Sequence, residues 1–229
     1  TTSQEGSAKP MMRTVFQHEL SLLDAQMLVM ASSMEEAVVS AVKVMEERDA
    51  ELAARVIEGD DDIDRQERDV ESLCLKLLLT QQPVASDLRH VSSALKMVGD
   101  MERIGDQAAD ICDTMLAIDG PIDARLSGHL RGMAEQACAM VHDAVEAFVE
   151  SDIAKARAVI GSDEQVDELF TKVKADVIAA IKDDPEPANS LIEALMAAKY
   201  LERIADHAEN VAEWVEYGLT GMHKGDLIG

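Results

Sequence analysis

Apolar residues recur along this chain at alternating steps of four and three. Phe16, Leu20, Leu23, Met27, Met30, Met34, Ala37, Ala41 and Val44 form one such line, and Leu126, Leu130, Met133, Ala137, Met140, Ala144 and Ala147 form another. That stepping is the seam of helices wound into a left-handed bundle. No segment sustains period-two alternation, so no sheet is expected. Beyond Pro10, the prolines stand at 83, 121, 185 and 187 and mark connections, because proline is expelled from helix interiors. Asp49 and Asp152 add two breaks as N-caps. Six helices follow, over 12–48, 49–82, 85–117, 122–150, 152–183 and 188–217. At 1.5 Å per residue a 30-residue helix is roughly 45 Å long, and short connections force antiparallel neighbours. A long, rod-like molecule is expected.

The chain repeats itself. Asp49-Ala-Glu-Leu-Ala-Ala-Arg-Val-Ile57 returns loosely as Asp152-Ile-Ala-Lys-Ala-Arg-Ala-Val-Ile160, an offset of 103. Glu102-Arg-Ile-Gly-Asp-Gln-Ala108 returns as Glu202-Arg-Ile-Ala-Asp-His-Ala208, an offset of 100. The fold class is therefore all-α, two tandem antiparallel three-helix bundles made by internal duplication. The expected organisation is a disordered tail over 1–11, one bundle over 12–119, a second over 120–217 and a C-terminal tail over 218–229.

Composition narrows the function. The 229 residues carry 45 acidic against 21 basic side chains, a formal net charge of -24. That balance excludes nucleic acid, whose binding needs Lys and Arg to neutralise phosphates, and docking on anionic lipid through the chain's own surface. It favours cations or a partner's basic patch. Cys74, Cys112 and Cys138 are scattered through apolar stretches with no disulfide frame, which suits a reducing cytoplasm. No apolar run reaches a membrane span, and the first ten residues lack the apolar core of a secretory signal. Gly-rich phosphate loops, Gly-x-Ser-x-Gly, His-Glu-x-x-His and Glu-x-x-His are absent, so no enzyme is read here.

Each half holds two acidic pairs at i, i+4, which share a helix face. They are Asp60/Asp64 and Glu102/Asp106, then Asp163/Asp167 and Glu202/Asp206. Residues 60 and 106, and likewise 64 and 102, have position 83 as their midpoint, the turn of one helical hairpin. The second set is centred in the same way on the turn at Pro185. An antiparallel hairpin therefore brings four carboxylates to one height in each half. Their repulsion is relieved by a hard cation such as Mg²⁺, Mn²⁺, Ca²⁺ or iron, while zinc is disfavoured with only His207 adjacent. The same residues also read as a solvated acidic face, shallow and exposed, because they lie off the apolar seam. If metal binds, its binding should fade as pH falls towards the reference carboxylate pKa of ~4.

Arg55-Val-Ile-Glu-Gly-Asp60, Gln82-Pro-Val-Ala-Ser-Asp-Leu-Arg89, Met101-Glu-Arg-Ile-Gly-Asp106 and Leu201-Glu-Arg-Ile-Ala-Asp206 resemble signatures of the PhoU family of phosphate-signalling regulators. The resemblance spans nearly all of 12–217. It implies a cytoplasmic, all-helical homodimer acting with the ATPase of a phosphate ABC transporter and with a sensor histidine kinase, meeting the membrane only through them. It implies negative regulation of phosphate uptake and of the phosphate-starvation response, without catalysis. It also implies metal ions (Mg, Mn or Fe) at Glu/Asp-x-x-x-Asp motifs, here Glu102/Asp106 and Glu202/Asp206, with Asp60/Asp64 and Asp163/Asp167 in a looser form. Two departures stand out: Ala205 replaces the first copy's Gly105, and Asn210 its Asp110. The rival reading is a metal-storage or metal-dependent hydrolytic bundle, which metal-dependent turnover would distinguish.

Overall fold

A computed structural model describes residues 5–81, 83–120, 124–224 and 226–227. Its helices are α1 (Glu5–Glu47), α2 (Ala50–Gln81), α3 (Ser86–Ala117), α4 (Ala124–Glu150), α5 (Ile153–Ile160), α6 (Asp163–Asp183) and α7 (Ala188–Thr220). Both expected N-caps form. The Asp49 carboxylate accepts from the Glu51 and Leu52 amides at 2.9 and 3.0 Å, and that of Asp152 from Ala154 and Lys155 at 2.8 and 3.1 Å. The residue before each cap, Arg48 or Ser151, has a left-handed backbone with φ of 55° or 54°. The duplication thus preserves a strained turn as well as its capping group.

Three boundaries differ from the sequence reading. The fifth helix is two, because Gly161 and Ser162 make a turn in which the Ser162 amide and hydroxyl both donate to the Val159 carbonyl. The first copy has Glu58-Gly59 at this place and α2 runs straight through. α1 starts at Glu5, ahead of position 12. The C-terminal segment is not sheet-free: β1 (Met222–His223) pairs antiparallel with β2 (Asp226–Leu227), a ladder too short to leave a period-two pattern. His223 stacks on Trp214 at a ring separation of 4.0 Å and anchors this hairpin to α7. The connection expected at Pro121 lies outside the described residues.

α1, α2 and α3 form one bundle, and α4, α5, α6 and α7 the other. α3 and α7 each bury an apolar line, Met97, Met101, Ile104 and Ile111 in α3 and Leu201, Ile204 and Val211 in α7. The bundles are joined along their sides. α3 runs antiparallel to α7, with the Asp119 amide donating to Ser190 at one end and Ser93 packed against Gly218 at the other. α1 and α4 are likewise antiparallel, with Glu35 against His142 and Glu46 against Arg131. Two rods side by side make a broader block than the single rod expected from helix length.

That joint explains a second set of buried α3 residues. Ser93, Asp100, Gln107 and Thr114 recur every seven positions and are buried despite being polar. Asp100 meets His207 Nδ1 at 2.9 Å and Asn210 Nδ2 at 3.3 Å across the joint. Of the repeat-equivalent positions on α7, Tyr200, His207 and Trp214, His207 reaches back to Asp100 of the α3 stripe.

Candidate metal centres

In the first bundle the hairpin brings together three of the four expected carboxylates and leaves Glu102 outside that cluster. Asp60 and Asp64 project from α2, Asp106 from α3, and one carboxylate oxygen of each lies within 4.8 Å of the others. All three are half-buried in the α2/α3 groove rather than exposed. Ile63, one turn between the two aspartates, is buried and pins α2 against α3. Gly105 permits the close approach: a Cβ there would lie 2.9 Å from Ile63 Cδ1 and 3.4 Å from Asp60 Oδ1. Asp60 Oδ1 is buried without a hydrogen-bond donor.

The electrostatics follow from this crowding. Burial, then the neighbouring Asp106 and Asp64 carboxylates, push Asp60 from 3.8 up to about 6. Glu102 rises from 4.5 to about 7, from burial first and then from Asp106, Glu67 and Asp64. Burial and Asp64 also raise Asp106. Glu67, which the four-residue pattern did not include, joins this group three positions after Asp64, and burial and Glu71 raise it. Arg68 reaches Asp64 Oδ2 at 3.3 Å, with its own side chain mostly in solvent.

The second bundle is looser. Asp163, Glu202 and Asp206 are half-buried and Asp167 is exposed. No three of these four oxygens meet the spacing seen in the first bundle. They still share a field: burial, Asp206, Asp167 and Glu202 push Asp163 up to about 6. Asp163 Oδ1 is also buried without a donor. Glu209, which the sequence pattern missed, rises to about 7 through burial and then Asp163. His207 turns away from these carboxylates towards Asp100.

The donor set is all oxygen, convergent in the first bundle and with an orphaned buried oxygen in each. It can hold a hard cation such as Mg²⁺, Mn²⁺ or iron. The raised carboxyls correct one expectation: proton competition with metal should begin at about pH 6 to 7 and not near 4. A further group, His142, Asp143 and Glu146, also converges, but Glu35 holds His142 at 2.6 Å and Lys155 holds Glu146 at 2.5 Å. Burial lifts the Cys74 and Cys112 thiols to about 12 and Cys138 to about 11, which keeps them protonated at neutral pH.

The duplicated helices have known counterparts. The family model for the PhoU domain matches twice, over residues 27–115 and 130–215. The chain belongs to the PhoU family. A phosphate-specific transport system accessory protein PhoU homolog of Clostridium acetobutylicum is 32% identical over 212 residues, covering 92% of this chain and 97% of that one. The phosphate-specific transport system accessory protein PhoU of Escherichia coli K12 is 31% identical over 207 residues, covering 90% and 86%. The crystal structure of PhoU from Pseudomonas aeruginosa superposes with a TM-score of 0.87 at 33% identity, covering 90% of this chain and all of that chain. That of the phosphate transport system regulatory protein PhoU from Streptococcus pneumoniae gives 0.84 at 28% identity, covering 93% and 99%. The two PhoU domain matches fall one in each bundle, in line with the internal duplication of this chain.

Proposed function

We propose that this PhoU-family chain is a non-enzymatic accessory regulator of phosphate transport. It restrains phosphate uptake and the phosphate-starvation response by bridging a phosphate ABC transporter ATPase and a sensor histidine kinase, as a cytoplasmic homodimer. The observation that carries this reading is the family match over both bundles, with relatives named as phosphate transport accessory proteins aligned along almost their whole length. Among the described residues no helix is long and apolar enough to cross a membrane, so membrane contact is assigned to the partners. The acidic groups serve as metal sites, Asp60, Asp64, Glu102 and Asp106 in one bundle and Asp163, Asp167, Glu202 and Asp206 in the other. Convergent oxygens and orphaned buried oxygens support this part.

The test is a deletion strain carrying a phosphate-starvation reporter in phosphate-rich medium. Derepression that the intact gene reverses supports the reading, and unchanged reporter output refutes it. A tagged chain should also retain a transporter ATPase from lysate, and purified protein should show no metal-dependent hydrolytic turnover.

A further inference from the structure

The two copies differ most in charge around the acidic groups, and the differences run along one groove. In the first copy Glu67 and Glu71 lie beside the carboxylates on α2, and Gly99 stands one turn before Glu102 on α3. The repeat places Phe170, Lys174 and Lys199 at the corresponding positions. Lys199 pairs with Glu202, whose side chain is only 13% exposed. Its ammonium lies 5.4 Å from the centre of the Phe170 ring, and that of Lys174 lies 4.8 Å from the same ring. The aromatic face thus holds two cations beside the second acidic group. In the first copy the same volume holds the Glu67 carboxylate, with Glu67 Oε1 3.9 Å from where a Gly99 Cβ would be.

We propose that Lys199 is the tethered cation of the second acidic centre, holding Glu202 and making this centre the weaker of the chain's two metal sites. The inference rests on the metal reading above. A divalent ion entering the second bundle must draw Glu202 away from the ammonium and then sit beside that positive charge, held in place by Phe170. In the first bundle Glu67 adds negative charge instead. The local cation there, Arg68, reaches Asp64 from the solvent side and leaves the three converging oxygens in place. Arg103 and Arg203 also bear on the first centre, where both favour ionised Asp106, but Arg103 pairs with Asp100 at 3.8 Å, whereas Lys199 pairs directly with the second centre's Glu202. Glu209 adds negative charge to the second centre, but it lies along α7 towards Glu213, which Lys224 pairs at 3.1 Å. The second copy therefore carries a lysine at each end of its acidic row.

The test is Mn²⁺ titration of the full-length, chelator-stripped chain, reading free Mn²⁺ by electron paramagnetic resonance. Two classes of site are expected, the tight one lost in Asp60→Asn/Asp106→Asn. Lys199→Met keeps an apolar stem over Phe170 and removes the charge. It should tighten the weak class by about tenfold or more, as expected for removing a like charge a few ångströms from the ion. Lys199→Arg keeps the charge and should leave that class weak. Gly99→Lys, whose Cβ would meet Glu67 Oε1 at an ordinary 3.9 Å, should weaken the tight class by pairing with Glu67 beside the site. If Mn²⁺ binds wild type tightly through Asp60 and Asp106 but Lys199→Met gives a superimposable isotherm, the inference fails and the metal reading stands. If Lys199→Arg tightens binding as Lys199→Met does, packing and not charge is responsible, and the inference fails. If Mn²⁺ binds none of these proteins, the metal reading fails and takes the inference with it. Circular dichroism on each variant confirms that the helices are intact.

Discussion

Gly105 and Ile63 are one unit of packing. A methyl group added at Gly105 would press on Ile63, which is buried between α2 and α3. The second copy has Ala205 and Val166 at the corresponding places, both fully buried, so a methyl group has moved from one helix to the other. Gly105→Ala alone should cost about 1–3 kcal/mol in overpacking, partly offset by about 1 kcal/mol of helix propensity. Combined with Ile63→Val it should recover most of that loss. Urea unfolding of the single and double variants measures the coupling, and simple additivity would refute the exchange. The carboxyls beside this contact set a pH dependence. Asp60 and Asp163 titrate at about 6, and Glu102 and Glu209 at about 7, all above their unfolded values. A raised folded pKa means that protons favour the fold. The contribution is full below about pH 4 and is lost as pH rises through 6 to 7. Metal-free protein should therefore melt at a lower temperature near about pH 8 than near about pH 5.5. Asp60→Asn/Glu102→Gln should flatten that slope, whereas the shifted His90 and His142, which act in the same direction, remain in the variant. A slope unchanged by the substitutions would assign it to other groups.

At the scale of elements, α3 and α7 stand apart because each serves two interfaces. The Ser93, Asp100, Gln107 and Thr114 stripe has the polarity of a solvent face, yet α7 covers it. Asp100, 8% exposed, is the hub of this joint through His207 and Asn210, and Arg103 of its own helix lies at 3.8 Å. Asp100→Ala strips two half-buried donors of their buried acceptor and should cost about 1–3 kcal/mol. Adding His207→Ala should cost less than a second independent loss, and chemical denaturation of the double-mutant cycle measures this coupling. An Asp100→Ala variant as stable as wild type would mean that water replaces the carboxylate without loss. The α5/α6 turn acts at the same scale: Gly161 and Ser162 end one helix so that Asp163 falls in the first turn of the next.

For the whole molecule, the side-by-side joint couples the two copies. Each bundle has its own apolar seam, but α3 is buried on nearly every side only when α7 is present. Calorimetry should therefore show a single transition, with calorimetric and van't Hoff enthalpies equal. Two resolved transitions would make the bundles independent units. Fragments ending at 119 or beginning at 120 should be less stable than either half in the full chain, because each exposes its face of the joint. The apolar face left by such a cut would also favour self-association, which sedimentation of the fragments can detect.

Helix type, the duplication, both Asp caps and the pairing of Asp60 with Asp106 were legible in the sequence. Each depends on local rules: heptad stepping, a capping side chain, or equal distance from a turn. The positions of the acidic pairs were legible for the same reason, since an i, i+4 pair and a hairpin midpoint are properties of numbering alone. The joint between bundles was not legible, because a polar stripe at spacing seven has the same pattern whether water or another helix covers it. Glu67 and Glu209 were missed because their role comes from proximity across a groove and not from a four-residue repeat. The different charge surroundings of the two acidic groups likewise belong to the tertiary structure. Lys199 is an ordinary surface lysine in the sequence, and only the packing of α6 on α7 brings its charge over Phe170 and against Glu202.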